Sequence, residues 1–292
     1  MICTQSLVCD GRVMEDISIH LPVMADKVVE YLVRDNKGVY VDATLGCGGH
    51  SLAILRNSDA SVIGFDLDEE QIEIASNRLQ EFSGRVLFVN ANYKDMNKLL
   101  DKKVDGVLFD FGFSSYQLDN PERGFSYRSD GPLDMRFGKN GITASDIIEN
   151  RSEEEIADIL YYYGGERASR RIAKKIKAEK PKTTGELALL VRKSVPRAKA
   201  HKHLGRVFQA LRIAVNDEFR SIENGIMAAA GVLKENGRIV AITYHKDEEK
   251  TVCKKAKEEG LNSILKRPVK PEKKEFERNP RCRSAHLRVF EK

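Results

Sequence analysis

The sequence predicts a doubly wound α/β fold interrupted by an inserted helical domain. Three observations carry this expectation. Between residues 23 and 117, short apolar strands alternate with segments of helical periodicity. The glycine cluster "GCGG" at 46–49 follows directly on the first strand. From 118 to 205 the strand signals weaken and helical stretches take over, and after 206 the α/β rhythm resumes. The expected organisation is a first α/β part over 1–117, a helical insertion over 118–205 and a second α/β part over 206–292.

Taken in order, "VMADKVVEYLV" places apolar residues at helical spacing, and "GVYVDAT" reads as a buried strand. "HSLAILRN" opens a helix after the glycines. "SVIGFDLD" is a second strand, "EEQIEIASNRLQEF" an amphipathic helix, "RVLFVNAN" a third strand and "VDGVLFDFG" a fourth. Short apolar strands separated by helices imply a parallel sheet covered on both faces. The insertion offers "SEEEIADILYYYG", "ERASRRIAKKIKAE" and "TGELALLVRKSV" as helices. Beyond it, "VFQALRIAVNDEFRSIENGIMAAAGVL" reads as one helix, "KENG" as a turn and "RIVAITYH" as a strand. "KRPVKPEKKEFERNPR" is charged and contains proline, so an exposed loop is expected before a terminal strand in "AHLRVFEK".

The formal charge of +5 is modest, so its distribution carries the information. Residues 167–202 hold thirteen Lys or Arg against two acids, and 266–292 hold ten against four. Both stretches suit a polyanionic partner or a solvated charged face. The five cysteines, Cys3, Cys9, Cys47, Cys253 and Cys282, are scattered without a CxxC pair. That pattern argues for a reducing compartment and against a disulfide framework or a zinc site. Acids at Asp10, Glu15 and Asp16 disfavour a signal peptide, and no apolar run reaches the ~18 residues of a membrane span. A soluble cytoplasmic protein is expected.

The glycine loop narrows the ligand. A P-loop would place Lys and then Ser or Thr after its last glycine, where this chain has His50 and Ser51. The dinucleotide fingerprint lacks its third glycine, and Asp42 at the strand end would repel a diphosphate. The same carboxylate would attract an ammonium or a sulfonium. Asp66 ends the second strand, twenty residues beyond Gly46, where a carboxylate accepts hydrogen bonds from ribose hydroxyls. The third strand leads to Tyr93, placed beside an adenine, and the fourth ends in Asp110 at the ligand-binding edge of the sheet. A nucleoside without a diphosphate, carrying positive charge near the loop, describes S-adenosylmethionine. Asp42, the loop glycines Gly46, Gly48 and Gly49, Asp66, Tyr93 and Asp110 are the candidate cofactor residues.

"HLPVM", "DATLGCGGHS", "DFGFSSYQLD", "ERGFSYRSDGPLDMRF", "FQALRIAVNDE" and "NPRCRSAHLR" together resemble the 16S ribosomal RNA cytosine-N4 methyltransferases, the RsmH or MraW family. The resemblance runs from about residue 20 to the end. It implies a class I methyltransferase fold whose helical insertion binds substrate, and methylation of a cytosine in the decoding region of the small subunit. The implied partner is 16S rRNA or the small ribosomal subunit. Matched residue by residue, the family's cofactor contacts fall on Gly48, Gly49, His50, Asp66, Tyr93, Asp110 and Gln117, with Tyr93 standing where the family often has Phe. Two segments depart from the family pattern. "YHKDEE" (244–249) replaces Phe-His-Ser-Leu-Glu-Asp and keeps His245 and the aromatic, and "HLGRV" (203–207) replaces His-Pro-Ala-Thr.

Methylating the exocyclic amine of cytosine requires no covalent enzyme intermediate. It requires in-line placement, exclusion of water, and an acceptor that holds the amine hydrogens so the lone pair faces the methyl. Asp110, or a backbone carbonyl of the Phe111-Gly112-Phe113 turn, can be that acceptor. Phe111, Phe113 or Tyr116 can stack on a splayed base or pack against the sheet. Ring-carbon methylation would need a thiolate, and neither Cys47 nor Cys282 has an obvious base. Arg123, Arg128 and Arg136 can meet phosphates or pair with Glu122, Asp130 and Asp134. His201 and His203, in a basic stretch without a nearby Cys, are expected to be solvated or RNA-facing, and no metal site is expected. Two other classes compete. One is a nicotinamide oxidoreductase, disfavoured by the missing glycine and Asp42. The other is an inactive RNA-binding assembly factor that retains the fold, which the two departing segments leave open.

Overall fold

The computed structural model describes residues 21–292, together with the backbone of a short antiparallel ladder pairing Val8–Cys9 with Arg12–Val13. The expectations on the N-terminal acids and on Cys3 and Cys9 fall on side chains outside the described residues.

Strands β1 (Val39–Asp42), β2 (Ser61–Asp66), β3 (Val86–Asn90), β4 (Val104–Asp110), β5 (Leu233–Thr243), β6 (Asn262–Ser263) and β7 (His286–Glu291) form a seven-stranded sheet. Their spatial order is β3-β2-β1-β4-β5-β7-β6. Pairing is parallel from β3 through β5, while β7 runs antiparallel to both β5 and β6. The chain starts in the middle with β1 and returns to its other side with β4, so the carboxyl ends of these two strands flank the crevice where the order reverses. This is the expected class I methyltransferase fold.

Helices α1 (Ala25–Leu32), α2 (Gly49–Arg56), α3 (Glu69–Arg78) and α4 (Met96–Leu99) surround the first four strands. The short helix α5 (Ser115–Asp119) leads into the insertion, built from α6 (Ala144–Asn150), α7 (Glu153–Tyr162), α8 (Ser169–Glu179), α9 (Thr184–Ser194) and α10 (Ala200–Asn216). Then follow α11 (Glu218–Val232), α12 (Lys246–Glu258) and α13 (Lys273–Arg278). Strands buried on both faces need apolar side chains at consecutive positions. In β4, Val107 and Phe109 pack with Ile222 and Ile226 of α11, whereas Leu108 packs with Val28 and Leu32 of α1 on the other face. A separate core fills the insertion, drawing on Phe125, Leu133 and Met135 as well as the helices.

Three local readings are corrected. The segment 207–233 is two helices, because Asp217 takes a left-handed conformation (φ 45°) between α10 and α11. Aspartate tolerates that conformation better than most residues. The "KENG" excursion lies within β5 as an irregularity: Val104 pairs with Leu233 and Gly106 with Arg238, so the extra residues loop out with Asn236 at φ 62°. The charged segment 266–281 contains α13 and is tied down, since Glu275 accepts from the Met24 amide at 2.7 Å and Asn279 donates to the Leu21 carbonyl. Position 205/206 lies inside α10, whose Leu204, Val207, Phe208 and Leu211 belong to the insertion core. Among the described residues no helix is long and apolar enough to cross a membrane.

Candidate functional site

The turn after β1 is built on glycine conformations. Gly46 (φ 50°) and Gly48 (φ 75°) are left-handed, and Gly48 caps α2 where a Cβ would meet Ala75 at 3.1 Å and Leu79 at 3.2 Å. Gly48 therefore shapes the loop against α3 and does not line the cavity, whereas Gly46 and Gly49 do. Asp42 corrects the expectation that it faces the ligand. It is fully buried beneath the loop, where Oδ2 accepts from the Ser51 hydroxyl at 2.7 Å and Oδ1 has no partner. Burial pushes its carboxyl up, opposed by His50 nearby.

Asp66, at the end of β2, grips the same turn. Its Oδ2 accepts from the Gly46 amide at 2.8 Å and its Oδ1 from the Asp68 amide at 2.9 Å. Burial pushes its carboxyl up to about 6, against the pull of those two amides. Each oxygen keeps a further lone pair, and the residue lines the cavity. Beside it the Gln71 amide oxygen, which the sequence reading missed, is buried without a partner and lies 3.5 Å from the place a Gly46 Cβ would occupy. Asp68 caps α3 and receives both Gln117 and Arg123. Tyr93 forms the apolar wall, edge-on to Phe109 at 5.5 Å and to Phe111 at 6.2 Å. Gln117 also lines the cavity, but its oxygen caps α5 and its nitrogen serves Asp68 and the Phe137 carbonyl.

At the crevice, Asp110 stands between three groups. Tyr244 donates to its Oδ1 at 2.8 Å, its amide donates to Thr44 Oγ1 at 2.6 Å, and His50 Nδ1 lies 3.8 Å from its Oδ2. The other ring nitrogen of His50 meets the Val23 carbonyl at 2.9 Å, and a carbonyl only accepts, so Nε2 carries a proton. Burial pushes the Asp110 carboxyl up to about 6, while His50 and the Tyr244 hydroxyl oppose the shift.

The two phenylalanines after Asp110 have their rings engaged. Phe111 stacks on Phe109 at 5.1 Å and is only 4% exposed. Phe113 has Phe125 stacked at 5.5 Å and the Arg212 guanidinium over its ring at 4.9 Å. Phe111 is thus packed among core rings, whereas Phe113 is half-buried and still lines the cavity. Cys47 lines the cavity, and burial pushes its thiol up to about 11, which keeps it protonated at neutral pH.

Beyond Asp110 the cavity continues into a second half lined by Phe113, Tyr127, Gln209, Arg212, Tyr244 and His245. Arg212 reaches Glu218 through two bonds of 2.7 and 3.0 Å, with Glu248 at 3.8 Å. This ion cluster joins the insertion to α11 and α12, and the sequence reading missed it. The available signal was a lone arginine among the apolar residues of "FQALRIAV". In the departing segment 244–249, Tyr244, His245 and Glu248 face the cavity while Lys246 and Asp247 are exposed. In the other, His203 corrects the expectation of a solvated ring, because it bonds the fully buried Glu166 at 2.8 Å. Arg123 and Arg136 are bound internally, the first to Asp68 and backbone carbonyls, the second to Asp134. Arg128 is exposed at the cavity rim.

The whole cavity measures about 1820 Å³, enough for a nucleoside-sized cofactor and a base together. Residues 17–292 match the MraW methylase family. A ribosomal RNA small subunit methyltransferase H from Carboxydothermus hydrogenoformans is 43% identical over 303 residues, covering 94% of this chain and 97% of its own. The proteins of the same description from Halothermothrix orenii and Cyanothece sp. are 42% and 40% identical, covering 94% and 96% of this chain and 98% and 96% of their own.

Proposed function

The chain belongs to the MraW methylase family, and from that premise we propose that it methylates the N4 amine of a cytosine in the decoding region of 16S rRNA. S-adenosylmethionine supplies an electrophilic methyl on sulfur when bound. The residues present fit it: Asp66 keeps lone pairs for the ribose hydroxyls, Tyr93 supplies a flat apolar wall, and the unpartnered Gln71 oxygen awaits a donor. The observation that carries the reading is the position of Asp110 in the cavity wall, with His50 of the glycine-loop helix 3.8 Å from its Oδ2 and Tyr244 bonded to its Oδ1 at 2.8 Å.

In this reading the target base enters the second half, and the helical insertion from residue 118 through the end of α10 binds substrate. Tyr244 occupies Oδ1 of Asp110, which leaves Oδ2 to accept an N4 hydrogen and turn the amine lone pair toward the methyl. With the cofactor bound, the N4 amine would gain positive charge as it takes the methyl, and the carboxylate of Asp110 would stabilise that charge. Asp110 then takes the proton that the amine releases. A group with a value near 6 passes it to water at neutral pH. The protonated Cys47 thiol is unsuited to ring-carbon chemistry.

The reading is tested with labelled S-adenosylmethionine and small subunits from cells lacking this enzyme, followed by separation of the nucleosides. Label in N4-methylcytidine is expected. Label in 5-methylcytidine, or none, would overturn the reading, and absence of label with intact RNA binding would favour an assembly factor.

A further inference from the structure

We infer that Tyr161 and Tyr162, together with the cations around the turn from α7 to α8, form an outer platform on which an unpaired base of the RNA substrate stacks. The inference rests on the RNA reading above and adds a site outside the cavity. Helix α7 buries Ile156, Ala157 and Leu160 against the insertion core, so its last turn carries two neighbouring tyrosines away from that core. Tyr161 is 53% exposed and Tyr162 is 70% exposed, with their rings edge to face at 5.2 Å. Two adjacent aromatic rings left in water forgo the burial that usually stabilises such side chains.

The charge around them is positive. Arg167, Arg170 and Arg171 follow within the turn and the start of α8, all exposed and without an ion-pair partner among the described residues. Arg206 joins them from α10, because its carbonyl abuts the place where a Gly164 Cβ would stand, and its side chain is exposed. The one acid in the turn, Glu166, is buried and engaged by His203. Exposed Glu154 and Asp158 lie toward the start of α7, so phosphates are favoured on the α8 side of the tyrosines and disfavoured on the other. Aromatic faces beside unpaired arginines are the elements with which proteins hold single-stranded RNA.

The platform is also mechanically joined to the cavity. Tyr163, the next residue, packs on Phe219 at 5.7 Å, and Phe219 packs on His245 at 6.0 Å in the cavity wall.

The test compares the parent with Tyr161→Ala/Tyr162→Ala and Tyr161→Phe/Tyr162→Phe in methyl transfer to small subunits lacking the modification. The alanine pair should raise KM for the subunit by about 5- to 150-fold, the range for removing base stacking, and leave kcat and cofactor affinity unchanged. The phenylalanine pair should restore the parent KM. Parent-like KM in the alanine pair, an equal rise in both pairs, or a drop in cofactor affinity would each overturn the platform. If the parent itself transfers no methyl to any subunit, the proposed function fails, and that result is distinct from the others.

Discussion

The hydroxyl of Tyr244 donates to Asp110 Oδ1 at 2.8 Å, joining residues 134 apart in the chain. The bond fixes one carboxylate oxygen at the crevice and leaves the other directed toward His50. It also favours the charged form of Asp110, the form that can accept an amine hydrogen.

A pH prediction follows from that bond. The Asp110 carboxyl, held at about 6, is protonated as pH falls through that value, so the rate should fall with it. Tyr244→Phe removes a bond that lowers the carboxyl's value, and the acid limb of the rate profile should move to higher pH. An unmoved limb with a merely lower plateau would separate Tyr244 from the titration of Asp110.

Asp66→Ala should weaken S-adenosylmethionine binding by ~1.5–3 kcal/mol, the range for hydrogen bonds to a charged group. Because Asp66 also holds the Gly46 and Asp68 amides, the apo protein should melt lower as well. Calorimetric affinity equal to the parent's would remove Asp66 from the cofactor site.

Arg212→Met leaves the buried Glu218 without its cation, while Glu248 keeps His245 Nε2 at 2.7 Å. Stripping one partner from a buried ionic cluster costs about 3–5 kcal/mol. Denaturant midpoints should report that destabilisation. A change within experimental error would mean that the cluster is hydrated and exerts little hold on the insertion.

Charge reversal at Arg170, Arg171 and Lys174 on the exposed face of α8 should flatten the salt dependence of RNA binding, by roughly 0.7 in slope for each phosphate of single-stranded RNA that is no longer neutralised. Lys175, which donates to the Lys193 carbonyl, should matter less. An unchanged slope would identify the face as solvated only.

The sheet was legible because each central strand announces itself locally, as in "GVYVDAT" and "VDGVLFDFG", and because glycines and acids recur at strand ends. The break at Asp217 was not legible, since apolar residues continue at helical spacing across it and only backbone conformation marks the boundary. The placement of Asp66 and Asp110 at strand ends beside the cavity was legible from position alone. Asp42 was misplaced because a strand end faces either the crevice or the layer beneath it, and Ser51 decides which. Tyr244 and Arg212 act through partners that periodicity does not reveal, since it carries no information on which side chains meet in space.

Asp110→Asn keeps the side chain's shape and its acceptor for Tyr244 while removing the charge. Burial raises the parent carboxyl above its unfolded value, so ionising it costs stability as pH rises from about 4 toward 6, and the variant should melt no lower at neutral pH. Single-turnover methyl transfer at saturating cofactor should slow roughly a hundredfold or more, as when one preorganised electrostatic donor or acceptor is removed, with cofactor affinity little changed. A preserved single-turnover rate alongside a collapse in cofactor affinity would contradict the account, making Asp110 a cofactor ligand and leaving the amine to a backbone carbonyl of the Phe111-Gly112-Phe113 turn.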